Sequence, residues 1–275
     1  MLEASGLRVA LPDRGHQPVF GRAPMIEILE GVDLAVAPGQ TIGLVGESGS
    51  GKSTLARALM RLVPLSAGRI VFEGRDITAL DEAALRPLRA RMQIVFQDSQ
   101  SALNPRLAIG TALAEPFLSY GRAKSSREAR RLADGLLERV GLDAGFAGRY
   151  PHQLSGGQRQ RVGIARAIAL DPALVIADEI VSGLDVSVQA QVLDLLRTLR
   201  AETGMALVLI SHDLSVVRAL CERVVIMQHG RVVEAGESAA VFASPQHPYT
   251  RALLRAIPLP EVDPGWIDNV DVEET

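Results

Sequence analysis

Residues 46–53 read Gly46-Glu47-Ser48-Gly49-Ser50-Gly51-Lys52-Ser53, and this stretch decides the fold. Its spacing is that of a phosphate-binding loop, G-x-x-x-x-G-K-[ST]. An apolar run over 41–45 precedes it, and a helical pattern over 53–62 follows. Glycines let the backbone wrap closely enough to turn successive N–H groups toward phosphate oxygens. The positive end of the following helix points at the same anion. In such a loop Lys52 reaches the β- and γ-phosphates of ATP, the Ser53 hydroxyl ligates Mg²⁺, and Thr54 helps hold the α-phosphate. A Gly/Ser-rich surface turn would share the composition, but not the strand before it and the helix after it.

Further short apolar runs lie at 93–96, 174–177, 206–210 and 223–227, each bounded by turn residues. Runs of this kind read as strands buried on both faces. Helical patterns fall between them, at 127–140, 158–169 and 188–202. Strands alternating with helices predict an α/β fold with a parallel sheet. Residues 99–153 carry little strand signal and read as an inserted helical subdomain. From about residue 245 the chain is richer in proline, and 261–275 form an acidic tail.

The run Leu174-Val175-Ile176-Ala177 ends in two acids, Asp178 and Glu179. A phosphate loop needs a carboxylate at a neighbouring strand end to hold Mg²⁺, and Asp178 suits that role. Glu179, one residue further on, is placed to polarise an attacking water. Two acids after a strand are often a solvated loop, and the phosphate loop is what tips the reading toward chemistry.

Leu154-Ser155-Gly156-Gly157-Gln158-Arg159-Gln160-Arg161 resembles the signature motif of ABC ATPases. Physically it is a second glycine-rich helix start, with free N–H groups and a hydroxyl available to an anion. The other elements of that family follow in order. Gln97 resembles the Q-loop glutamine, Ser182-Gly183-Leu184-Asp185 the D-loop, and His212 the switch histidine. Ser101-Ala102-Leu103-Asn104-Pro105-Arg106, Asp185-Val186-Ser187-Val188-Gln189-Ala190-Gln191 and His247-Pro248-Tyr249-Thr250-Arg251-Ala252-Leu253-Leu254 are similar to the oligopeptide/dipeptide (peptide/nickel) importer group.

The resemblance implies a RecA-like P-loop ABC ATPase core with a parallel sheet, an N-terminal antiparallel β region and an inserted helical subdomain. It assigns 1–98 and 160–244 to the core, 99–159 to the helical subdomain with Q-loop and signature motif, and 245–275 to a C-terminal extension. Two such subunits would pair head to tail, in this group as a heterodimer, with a homodimer the other possibility. Ser155, Gly156, Gly157 and Gln158 would then touch ATP held by the other subunit. Gln97 would touch Mg²⁺ and water, Glu179 would act on the water, His212 would contact the γ-phosphate, and Asp185 would communicate between paired sites. The implied partners are two membrane permease subunits and, indirectly, an extracytoplasmic solute-binding protein. The implied location is peripheral, on the cytoplasmic face of the inner membrane. The cargo is open among peptides, glutathione and nickel complexes. A rival within the same resemblance is the ATPase of a soluble carbon–phosphorus lyase complex.

Three positions depart from the family pattern. Leu11 falls where an adenine-stacking aromatic residue is expected, with Phe20 the substitute on offer. Ile180 stands for the proline after the catalytic glutamate, so the turn loses one source of rigidity. Val181 stands for a frequent threonine.

Composition agrees with a globular protein. The 275 residues are 47% hydrophobic and 22% charged, with a formal net charge of -3. That balance argues against binding nucleic acid by phosphate neutralisation. The single cysteine, Cys221, cannot staple a secreted fold and reads as structural. Neither a signal peptide nor a run of ~18 apolar residues is evident, so any membrane role is expected to act through a partner.

Overall fold

The computed structural model describes residues 1–13, 21, 23–97 and 102–256. Two sheets form the frame. The first is antiparallel, in the order β2 (Met25–Val36), β1 (Leu2–Pro12), β4 (Ala67–Phe72), β5 (Arg75–Asp76). The second runs β10 (Arg231–Glu237), β9 (Arg223–Gln228), β3 (Thr41–Val45), β8 (Ala206–Ile210), β7 (Leu174–Asp178), β6 (Met92–Val95). Its strands are parallel except β10, which runs antiparallel to β9.

Every residue of β3, β7 and β8 is buried, as their continuous apolar runs require. Alternate side chains of the parallel sheet feed two separate cores. Ile42, Leu44, Leu174, Ile176, Val208 and Ile210 face helix α1 (Lys52–Leu59) and the antiparallel sheet. Val45, Val175, Ala177, Leu207, Leu209 and Ile226 face the helical layer. That layer includes α3 (Ile109–Ser119), α4 (Ser126–Arg139), α5 (Gly156–Ile168), α6 (Val186–Thr203) and α7 (Leu214–Leu220). Helix α2 (Glu82–Arg89) lies beside β6, and α8 (Ser238–Ala243) and α9 (Pro248–Arg255) follow β10.

Several boundaries differ from the sequence expectation by one to three residues, and two of them have a visible physical reason. Helix α1 stops at Leu59, three residues before the end of the 53–62 pattern. Arg61 takes the left-handed conformation (φ 53°), and the Leu62 and Arg61 N–H groups bond back to the Arg57 and Ala58 carbonyls. This is a Schellman closure, built without its usual glycine. Strand β6 ends at Val95, its last partnered residue opposite Ala177, and leaves Phe96 exposed. The acidic tail 261–275, Phe20 and Ser101 lie outside the described residues.

Parallel strands share a direction, so their C-terminal ends share an edge. The chain leaves β3 into Gly46, β6 toward Gln97, β7 into Glu179 and β8 toward His212. The register pairs Leu44 with Ile210, Asp178 with Ile210, and Val95 with Ala177. The sheet itself therefore gathers residues that are far apart in sequence, in the crevice where α/β sheets bind ligands.

Candidate functional site

At the end of β3 the chain turns through Gly46 with φ 155°, where a Cβ would lie 2.2 Å from the Met227 carbonyl oxygen. No side chain fits there, so this glycine is demanded by the close approach of β9. Gly51, with φ 101°, is the N-cap of α1 and has no capping side chain. The first-turn N–H groups therefore have no side-chain cap from position 51, the arrangement that leaves a helix start available to an anion.

Lys52 is 4% exposed. Its Nζ donates to the carbonyl oxygens of Gly46 and Glu47, both at 2.7 Å. Burial pulls its pKa below the usual lysine value, against the opposing pull of the Glu179, Asp178 and Glu47 carboxylates. The Ser53 hydroxyl lies 3.1 Å from Asp178 Oδ1 across 125 residues of sequence. Burial also pushes the Asp178 carboxyl up; the Ser53 hydrogen bond opposes this and neighbouring Glu179 adds to it.

Gln97 Nε2 donates to Glu179 Oε2 at 2.7 Å, and His212 Nδ1 lies 3.7 Å from that same oxygen. Ser48, Lys52, Ser53, Thr54, Gln97 and Glu179 line one open cleft of about 340 Å³. Glu179 itself has φ 49°, an uncommon conformation for a residue other than glycine. The surroundings hold it. Its N–H donates to the Ile210 carbonyl, and its own carbonyl accepts from both the N–H and the Oγ of Ser182. Ile180 and Val181 are buried, at 1% and 5% exposure. Hydrogen bonds and burial thus supply rigidity at the turn where the family proline is missing.

The donor set fits Mg²⁺. Ser53, Asp178 and Gln97 offer a hydroxyl, a carboxylate and an amide, all hard oxygen ligands. Among the described residues no cluster of three or more His, Cys, Asp or Glu could hold a metal alone.

Asp178 has a testable thermodynamic consequence. A carboxyl whose pKa is raised on folding binds more protons folded than unfolded, so stability increases as pH falls through the folded-state value toward 3.8. At neutral pH its charge is a net cost. Asp178→Asn keeps an oxygen for Ser53, and its chemical denaturation midpoint is expected above wild type at pH 7 without nucleotide. The gap should narrow as pH falls toward 3.8. A midpoint equal to or below wild type at pH 7 would contradict this account.

The signature residues stand apart from that cleft, since none of Ser155, Gly156, Gly157 or Gln158 lines it. Ser155 caps α5, accepting from the Gln158 N–H at 3.3 Å, while Gln158 Oε1 accepts from the Ser155 N–H at 3.0 Å. This reciprocal capping box makes the motif a structural helix start in its own right. Gly157 has a packing reason as well: a Cβ there would lie 2.3 Å from Val188 Cγ1 on α6. Val is stiff at χ1, so it cannot swing away cheaply. Gly157→Ala should therefore cost about 1–3 kcal/mol by overpacking, and Val188→Ala should restore most of it in urea denaturation. Asp185 is likewise a cap, accepting from the Val188 N–H at 2.9 Å and the Ser187 Oγ at 2.7 Å.

Leu11 sits half-buried against the core under the antiparallel sheet, paired in register with Ile26. Cys221 is buried, and burial pushes its thiol up to about 12, leaving it an inert packing group. Sequence reasoning missed one contact at the loop. The Glu47 N–H donates to the Tyr249 hydroxyl at 2.9 Å, across 202 residues. The His-Pro-Tyr-Thr stretch had signalled a helix after a proline turn, and nothing in it indicated what the tyrosine touches.

Comparison with known proteins agrees with this geometry. The ABC transporter family model matches residues 29–182, and the model for the oligopeptide/dipeptide transporter C-terminal region matches 233–273. A probable peptide ABC transporter ATP-binding protein, y4tS of Sinorhizobium fredii, is 53% identical over 238 residues, covering 86% of this chain and 67% of that protein. A putative peptide import ATP-binding protein of Brucella abortus is 47% identical over 247 residues, covering 90% and 73% respectively. The glutathione import ATP-binding protein GsiA of Salmonella paratyphi A is 47% identical over 260 residues, covering 94% of this chain but only 41% of that one. Among solved structures, the dimeric post-hydrolysis ATP-binding cassette MJ0796, bound to ADP and phosphate, superposes with a TM-score of 0.76 at 30% identity, covering 86% of this chain and 99% of that one. The phosphate loop and the two acids at the end of β7 fall inside the matched segment, and the likeness continues through the C-terminal region: this chain belongs to the ABC transporter family, among its ATP-hydrolysing subunits.

Proposed function

We propose that this chain energises an importer of di- or oligopeptides or related small solutes by hydrolysing ATP at the cytoplasmic face of the inner membrane. The observation that carries the catalytic part is the convergence of Lys52, Ser53, Thr54, Gln97 and Glu179 on one cleft. Peptide and glutathione import in the relatives' names, and the match to the peptide-transporter C-terminal region, support the choice of cargo.

In this reading the phosphate loop and the N-terminus of α1 hold the triphosphate, with Lys52 leaving the Gly46 and Glu47 carbonyls for the β- and γ-phosphates. Ser53, Asp178 and Gln97 would hold Mg²⁺, which would offset the negative charge of the phosphates. Glu179 accepts a proton from the attacking water, and the γ-phosphoryl group passes to that water, leaving ADP and phosphate. Gln97 fixes the orientation of the Glu179 carboxylate through its 2.7 Å hydrogen bond. His212 and Lys52 offset the charge that develops on the γ-phosphate oxygens.

The position of Ser155–Gln158 outside the cleft supports a second subunit that completes the site, as does the dimeric state of the MJ0796 cassette. Residues 99–159 would act as the helical subdomain and, with the Q-loop, contact the permease. Among the described residues no helix is long and apolar enough to cross a membrane, which fits a division of labour with permease subunits.

The test is reconstitution. The chain, co-purified with its permease subunits and placed in proteoliposomes, should drive ATP-dependent uptake of labelled di- or oligopeptides or of glutathione. Hydrolysis with no uptake of any of these solutes would remove the proposed cargo class and leave the ATPase intact.

A further inference from the structure

Helix α9 belongs to the C-terminal extension, which the hydrolysis mechanism does not use. Its start is nevertheless tightly fixed. The Glu234 carboxylate on β10 accepts from the N–H groups of Gln246 and His247, at 2.8 and 3.0 Å. His247 Nδ1 caps the helix by accepting from the Tyr249 N–H at 3.2 Å. The Arg251 guanidinium donates to the Pro245 and Gln246 carbonyls. Five hydrogen bonds thus hold one short turn. The turn buries Tyr249 and Thr250, and Tyr249, 9% exposed, packs in the core under the helical layer.

The tyrosine ends on the phosphate loop. Its hydroxyl accepts the Glu47 N–H at 2.9 Å. The carbonyl of that same residue accepts from Lys52 Nζ at 2.7 Å. Glu47 is therefore held from both sides, by the C-terminal extension through its N–H and by the phosphate-binding lysine through its carbonyl. Burial pushes the Tyr249 phenol above its ordinary value, so it stays protonated at physiological pH. The loop works by presenting a preset array of N–H groups to phosphate oxygens, and any freedom at its first turn must be lost on binding.

We propose that Tyr249 is a positioning residue for the phosphate loop, through which docking of the C-terminal extension sets nucleotide affinity. It acts through Glu47 and touches no reacting atom. The proposal rests on the ATPase reading above and adds a second determinant of its nucleotide site.

The experiment uses the full chain. Equilibrium binding of fluorescent MANT-ADP and MANT-ATP is measured for wild type, Tyr249→Phe, Glu234→Ala and the double variant, beside KM, kcat and the thermal midpoint. Phenylalanine keeps the aromatic volume and removes only the acceptor. One neutral hydrogen bond corresponds to about a three- to tenfold change in affinity. Tyr249→Phe should weaken both nucleotides and raise KM by that factor, with kcat within about twofold of wild type. Glu234→Ala should weaken binding in the same direction. The double variant should be no weaker than the weaker single one, because both act through one contact. Wild-type affinity in Tyr249→Phe would overturn the proposal. So would a lowered midpoint with KM unchanged, which would mark the phenol as a packing group only. A wild type that binds neither nucleotide would overturn the ATPase reading together with this one.

Discussion

Glu179→Gln is expected to abolish turnover while leaving nucleotide binding intact. Removing a general base costs about 100- to 10,000-fold in rate. The substitution is nearly silent structurally. Glutamine keeps an amide oxygen that can accept from Gln97 Nε2, as Glu179 Oε2 does at 2.7 Å. The backbone anchors of position 179, to Ile210 and Ser182, involve no side-chain atom of the glutamate. The unusual φ of 49° is fixed by those anchors and should persist. With hydrolysis blocked, Mg²⁺-ATP should accumulate a dimer visible by light scattering, whereas ADP should not. Residual hydrolysis within tenfold of wild type would remove Glu179 from the role of base. A variant that neither binds nor dimerises would instead show that position 179 is structural.

Lys52→Met is expected to have the largest effect on binding, with the opposite sign on stability. Truncating one partner of a buried charged contact costs about 2–5 kcal/mol, which is on the order of 30- to 4,000-fold in Kd. Isothermal titration with ATP reads this directly. Burial lowers the pKa of Lys52 below the usual 10.5. A lysine whose pKa is depressed by folding binds fewer protons folded than unfolded between the folded-state value and 10.5, so stability increases with pH across that window. Below the window the buried ammonium is a net cost. Methionine fills similar volume and carries no charge, so the nucleotide-free thermal midpoint should not fall below that of wild type at pH 7. A lower midpoint would mean that the bonds from Nζ to Gly46 and Glu47 outweigh the desolvation cost. Together with Asp178→Asn, this variant tests whether the site is held ready for a ligand at the expense of the fold.

Much of this site could be read along the chain, for a definite reason. The loop 46–53, the two acids at the C-terminal end of β7 and the residues following β6 and β8 each sit at the end of an apolar strand. Once the strands are recognised as parallel, their C-terminal ends must share an edge, and the rest follows from topology. The Gln97–Glu179 bond links positions 82 residues apart; Glu179 was legible from its place at the end of a buried strand, and Gln97 from its resemblance to the Q-loop glutamine. The antiparallel sheet was harder to see. Its strands β1 and β2 alternate buried and exposed residues with interruptions, and the pairing itself carries register shifts at Ala4/Leu7 and Val9/Ala10. A broken period of two gives a weak signal.

Helix ends were less legible than helix bodies. The end of α1 depends on Arg61 adopting a left-handed conformation that arginine rarely takes, and no residue type announces it. Gly157 reads from sequence as a backbone available to phosphate, but its need to be glycine in this chain also comes from Val188 on another helix. Tyr249 is the furthest case. Its neighbours predict a proline-led helix, which α9 is, while its burial and its bond to Glu47 depend on how α9 packs after β10.

The sequence by itself determined the chemistry of the nucleotide loop, the carboxylates beside it and the parallel sheet that carries them, because each is written in local spacing and in the apolar period of single elements. Only the tertiary structure decided which glycines are packed against, where the helices close and how the C-terminal extension reaches the phosphate loop. Those outcomes are contacts between elements distant in sequence, and a hydrogen bond across 202 residues leaves no local pattern at either of its ends.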